Sequence, residues 1–474
     1  MINSDSELQI DLQAPMIIKS IYQEEELLTY RKEFSSYFVK LNIPQEPGSI
    51  QEISIAFEGN PPESLNPPWD GGFVWKTDKN QNPFIANANQ LLGSSSWLPS
   101  KDIPYDEPDQ GMQISITAPS SLVSVSNGRL ITQDSHADGT DKYTWKVINP
   151  INGYGINMNL GDYVHFKETY TGENGPLDLD YYVLSYNLEK AKKQFKQVPK
   201  MLEAFEYWFG PYPFYEDSFK LVEVPYLGME HQSSVTYGNQ FKNGYLGTDL
   251  SRTGWGLKFD FIIIHESGHE WFANNITYKD AADMWIHEGF TAYSESLFLD
   301  YYYGTKAASE YVIGTRSSIR NDKPIIGVYN VNSEGSSDMY YKGANMLHTL
   351  RQIIKNDDKW RQILRGLNTE FHHKTVTTKQ IETYISDRSG LNLTAFFDQY
   401  LRDTRIPTLE YRLKDNILSY RWTQVVNGFE MPIEINFSRE KKWLYPTEVW
   451  QEIELNSTEI DVDIDYYIKY NKVQ

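Results

Sequence analysis

Phe261-Ile262-Ile263-Ile264-His265-Glu266-Ser267-Gly268-His269-Glu270-Trp271-Phe272, then Trp285-Ile286-His287-Glu288-Gly289-Phe290, with 18 residues between His269 and Glu288, is the stretch on which the fold turns. Residues four apart on an α-helix differ by about 40° around its axis, so His265 and His269 face one point. Phe261 to Ile264 supply the same helix with a buried apolar face. A zinc ion takes imidazole nitrogens at about 2.0–2.1 Å and satisfies such a pair. Glu266, beside the first histidine, points into the same cavity and can take a proton from water. Taken alone, this pentad also fits two surface histidines on an amphipathic helix. Glu288 argues against that, because it opens a second helical pattern. Two histidines and one carboxylate leave a fourth position open, as a catalytic rather than a structural zinc site requires. Glu295 shares Glu288's helix face and is a candidate partner for a ligand imidazole; a surface salt bridge is the alternative. His287 points about 100° away from Glu288 and is not expected to be a ligand.

The 474 residues allow two to four domains with an ample core. Hydrophobic content of 40% and charged content of 23% are ordinary for a soluble globular chain. A formal charge of −20 argues against nucleic acid, which demands a basic face. It suits attraction of cationic groups such as a free α-amine, or simply a solvated acidic surface. With no cysteine, thiolate ligands, a cysteine nucleophile and disulfides are excluded, so any metal must sit on His, Asp and Glu. The same lack suits an exported protein, although the first residues, Met1 to Glu7, show neither the basic nor the apolar region of a signal peptide. No apolar run approaches a membrane span.

Outward from the metal motif, the expected fold is a multidomain α+β protein. Residues 1–186 read as an all-β domain: Met112, Ile114 and Ile116 alternate with polar residues, as do Tyr143, Trp145 and Val147. Residues 187–405 read as the catalytic core, opening with a helix from Leu188 to Phe209 and including a strand near Phe219–Val224. Residues 406–474 return to a period of two at Leu409, Tyr411, Leu413, at Ile433, Ile435, Phe437, and at Ile460, Val462, Ile464. Asn427-Gly428 is a hairpin signal within this short, β-sandwich-like domain.

Taken together, these motifs resemble the M1 family of zinc aminopeptidases, whose pattern is H-E-x-x-H, 18 residues, then E. Trp271, two residues after the second histidine, and Glu288-Gly289-Phe290 also fit, while His287 stands where Asn is usual. Leu227-Gly228-Met229-Glu230-His231 is similar to the family's G-x-M-E-N segment, with Leu227 and His231 as departures. The resemblance implies that Gly228, Met229 and Glu230 bind substrate, with Glu230 on the free α-amine. Tyr340-Tyr341-Lys342-Gly343-Ala344 resembles Y-E-K-G-A, which puts Tyr340 where the family's oxyanion-binding tyrosine stands. Gln90, in Asn89-Gln90-Leu91-Leu92-Gly93, aligns with a residue that helps fix the amine; as a residue in its own right it is equally a loop glutamine. The resemblance further implies a thermolysin-like catalytic domain, one zinc ion per chain and peptide substrates with a free N-terminus. It also implies that the large helical C-terminal domain of many members is missing. The rival readings are a zinc endopeptidase, an epoxide-hydrolysing relative and a non-catalytic binding protein on the same scaffold.

Overall fold

Alternation of apolar and polar side chains fixes the register of the N-terminal strands. In the computed structural model, which describes residues 5–438, 440–455, 457 and 459–473, Met112–Pro119 pairs antiparallel with Thr140–Val147. Ile114 lies opposite Trp145 and Ile116 opposite Tyr143. Tyr143 and Trp145 then enter a core with Phe84, Val125, Tyr163 and Val222. A one-residue slip would turn all of these to solvent. Met1–Ser4, the start of the stretch compared with a signal peptide, lie outside the described residues.

The chain divides into two compact units. The first runs up to Tyr170 and adds Pro176–Lys192 and Phe214–Gly238. It is built of small antiparallel sheets and one five-stranded mixed sheet, in the order Tyr163–Gly172, Gly175–Leu184, Phe219–Glu223, Val235–Tyr237 and Gly228–Met229. Gly228–Met229 is thus an edge strand, bonded antiparallel to Thr236 and Tyr237.

The second unit comprises Thr171–Gly175, Lys193–Pro213 and the chain from Asn239 onward. Its helices include Gln197–Phe209, Phe261–Gly268, Trp285–Tyr303, Tyr341–Ile354, Asp357–Glu370 and Thr378–Ser389. The strands after Thr408 belong to this same unit and form a four-stranded and a three-stranded sheet. The architecture is therefore α+β, with a β-rich N-terminal region, a helical middle and a C-terminal β region. Among the described residues no helix is long and apolar enough to cross a membrane.

Three local expectations are corrected. The helix read over Leu188 to Phe209 is two, Leu188–Gln194 and Gln197–Phe209. Restarting at Gln197 places Pro199 in a first turn, where its missing N–H leaves no helical bond unmade. Asn427-Gly428 forms a turn, but the strands before and after it, Ile417–Thr423 and Ile433–Phe437, lie in different sheets. The link carries buried Phe429 and Met431, and Trp422 donates its indole N–H to the Met431 carbonyl at 3.0 Å. The alternation from Ile460 to Ile464 yields only the strand Asp461–Val462, because the Ile464 carbonyl leaves the sheet to accept a hydrogen bond from Arg316.

Candidate metal centre

The helix that carries both histidines starts at a capped end. Asp260 accepts hydrogen bonds from the Ile262 and Ile263 amides at 3.1 and 3.4 Å, satisfying two of the donors a helix start leaves open. Ile262, Ile263 and Ile264 are fully buried, each such burial contributing about 1.5–3 kcal/mol. After His269 the chain widens into i→i+5 bonding, Asn274 N to His269 O at 2.9 Å and Asn275 N to Glu270 O at 3.1 Å. Phe272 is thereby non-helical, and its carbonyl turns to His269 Nδ1 at 3.0 Å.

Glu288 lies on the helix Trp285–Tyr303, buried without a break from Trp285 to Leu299. Two glycines set how closely the next helix approaches. A Cβ on Gly343 would stand 3.0 Å from the Gly289 Cα, and one on Gly289 would stand 3.2 Å from the Met339 carbonyl oxygen. Side chains there would push apart the segments holding Glu288 and Tyr340.

These two helices bring His265, His269 and Glu288 together. Glu288 Oε2 lies 3.6 Å from His265 Nε2 and 3.4 Å from His269 Nε2. Ligands at about 2.1 Å from a tetrahedral centre are spaced about 3.4 Å apart, so the separations fit one small cation. Glu288 Oε2 is buried and accepts no hydrogen bond among the described residues, an expensive arrangement unless it serves as a ligand.

The outer nitrogens are held. His265 Nδ1 is 2.7 Å from Glu295 Oε1, and Tyr311 donates its hydroxyl to Glu295 Oε2 at 2.5 Å. His269 Nδ1 meets the Phe272 carbonyl and, at 3.1 Å, Thr291 Oγ1. Both rings are thus oriented with Nε2 toward Glu288, as imidazole ligands need. Burial disfavours charge on His265, yet the Glu288 and Glu295 carboxylates raise its pKa well above the ordinary value. Burial pushes Glu288 toward its neutral form, and the two imidazoles outweigh this and lower its pKa. A buried group of carboxylates around two imidazoles is balanced by a divalent cation.

Glu266 follows His265 on the same helix and is buried. Burial and, after it, the charge of Glu266 raise the pKa of the Tyr245 phenol. Tyr340 is the N-cap of the helix Tyr341–Ile354, its ring stacked 6.1 Å from that of His265. His287 is engaged elsewhere: its Nε2 accepts the Tyr278 amide at 3.0 Å and its ring stacks on Tyr278.

In the first unit, Gln90 donates to Glu230 Oε1 at 2.8 Å, although 140 residues separate them in sequence. Glu230 is buried and follows directly on the edge strand Gly228–Met229. His231 Nδ1 is 3.2 Å from Thr236 Oγ1, and burial depresses its pKa to about 3, so it stays neutral.

Thr291, Tyr311 and the Phe272 carbonyl are absent from the sequence reading. Thr291 carried a signal, three residues after Glu288 on one helix face. Tyr311 and the Phe272 carbonyl carried none.

Residues 186–400 match the family model of the peptidase family M1 domain. The chain is 21% identical over 401 residues to a puromycin-sensitive aminopeptidase of Caenorhabditis elegans, covering 81% of this chain and 41% of that one. It is 24% identical over 341 residues to aminopeptidase B of Mus musculus, covering 66% and 48%. The chain spans about half the length of the curated relatives it matches. Among solved structures it is similar to the M1 zinc metallopeptidase of Deinococcus radiodurans, solved with a Tyr-Ser-Ala substrate. That likeness has a TM-score of 0.72 at 19% identity and covers 85% of this chain and 88% of that one. At that identity it establishes the fold. The match to the peptidase family M1 domain covers the part of the chain that holds His265, Glu266, His269, Glu288 and Tyr340.

Proposed function

We propose that this protein is a zinc-dependent aminopeptidase that removes N-terminal residues from peptides. The observation that carries the reading is the buried triangle of His265, His269 and Glu288, with a carboxylate oxygen that finds no donor among the described residues. These three residues hold one zinc ion. Zinc, when bound, supplies Lewis acidity, polarising the scissile carbonyl and acidifying water. Glu266 accepts a proton from the attacking water and delivers it to the leaving amine. Tyr340 donates a hydrogen bond to the oxyanion that forms at the carbonyl. Glu295 and Thr291 keep the ligand imidazoles oriented.

Glu230, braced by Gln90, receives the substrate's α-ammonium, and Gly228-Met229 lies alongside the substrate backbone as an edge strand does. The three-part division at 186/187 and 405/406 belongs to this proposal. Glu230→Gln is expected to lower kcat/KM for free-amine peptides roughly 10–100-fold, the worth of a charge-assisted hydrogen bond. Steady-state kinetics on a dipeptide amide checks this; an unchanged kcat/KM would remove Glu230 from amine recognition and favour an endopeptidase.

A further inference from the structure

We propose that the C-terminal segment Asp463–Tyr467 positions Tyr340, through Arg316 and Tyr467 as positioning residues; this rests on the role given to Tyr340 above. Tyr340 stands at the start of the helix Tyr341–Ile354, whose Asn345, His348 and Thr349 share one face at i, i+3 and i+4. All three are fully buried, and the C-terminal segment is bonded to that face. His348 Nε2 is 2.9 Å from Asp465 Oδ1, and the Tyr467 amide donates to Thr349 Oγ1 at 2.9 Å. Arg316 spans the junction, donating from Nε to Asn345 Oδ1 at 2.6 Å, from Nη1 to the Ile464 carbonyl at 2.7 Å and from Nη2 to the Asp465 carbonyl at 3.2 Å. Asn345 in turn donates to the Tyr341 carbonyl at 2.9 Å, one residue from Tyr340.

A second path reaches Tyr340 from its other side. The Tyr467 hydroxyl accepts from Asn321 Nδ2 at 3.0 Å. The amides of Arg320 and Asn321 both donate to Asp338, at 2.8 and 2.5 Å, within the short turn Ser337–Met339 that leads into Tyr340. The C-terminal segment therefore holds the chain both before and after Tyr340. A planar guanidinium serving three fixed acceptors cannot be replaced by an ammonium. An oxyanion donor works only within a few tenths of an ångström of its place, so loosening either path acts on turnover rather than on substrate capture.

The test is a double-mutant cycle on a cleaved aminoacyl-coumarin amide. Tyr467→Phe and Arg316→Lys are each made in the parent and in Tyr340→Phe, with zinc content and circular dichroism matched. Each is expected to lower kcat roughly tenfold with KM unchanged in the parent, and to have no further effect when Tyr340 is Phe. Tyr467→Phe removes a single oxygen and keeps the test decisive if Arg316→Lys does not fold. An equal loss in both backgrounds, or no loss in the parent, overturns the proposal while leaving the role of Tyr340 standing. A Tyr340→Phe enzyme with parental kcat overturns both.

Discussion

Glu266→Gln is expected to lower turnover roughly 10²–10⁴-fold while zinc remains at one ion per chain, because the variant loses a base and nothing else. The amide has the shape of the carboxylate, so the packing of a buried residue on the helix Phe261–Gly268 is preserved. The proposed metal ligands are untouched, and so are the contacts that orient them, Glu295 to His265 and the Phe272 carbonyl to His269. Substrate affinity should change little, since Glu266 acts on protons that move only during reaction. Metal analysis alongside kcat decides the matter: a zinc-loaded variant with parental turnover would take Glu266 out of the mechanism.

Glu288→Gln attacks the site from the other direction. It swaps the carboxylate that faces both imidazoles for a neutral amide, removing a ligand and the charge that offsets the cation. Zinc affinity should fall at least about 100-fold, beyond the usual loss from altering an outer-shell partner, and activity should fall with it. Stability gives an independent readout. Binding to the folded state alone stabilises it by about 2.7 kcal/mol at a hundredfold excess over Kd, so zinc should raise the melting temperature of the parent. The same zinc concentration should stabilise Glu288→Gln by no more than about 0.4 kcal/mol, a far smaller shift. Equal thermal shifts in the two proteins would place the metal elsewhere.

The parts of this site legible in the sequence are those that a local period fixes. His265 and His269 share a helix turn, Glu266 adjoins them, and Glu288 and Glu295 lie on one face of a second helix. The alternations at Met112, Ile114, Ile116 and at Tyr143, Trp145, Val147 marked two strands for the same reason, while their pairing with each other is not carried by the period. What the sequence concealed depends on partners distant along the chain. Tyr311 reaches Glu295 from a different helix, and the close approach of Gly289 to Gly343 is decided by two segments that no periodicity relates. Asn427-Gly428 carries the residues of a tight turn, but whether a turn pairs its own flanking strands depends on which sheet buries them. Pro199 marks the restart at Gln197, since proline is favoured in a first turn, but the apolar period runs straight through it. Arg316 gave no sign of its role, since its three acceptors come from two regions more than a hundred residues apart.

Hydrolysis of aminoacyl-coumarin amides, each offered with a free and with an acetylated N-terminus, with and without a zinc chelator, tests the central claim most directly. Cleavage of the free-amine substrates alone, abolished by chelation and restored by zinc, is the result expected of a zinc aminopeptidase. Equal cleavage of acetylated substrates, or cleavage indifferent to chelation, would contradict it.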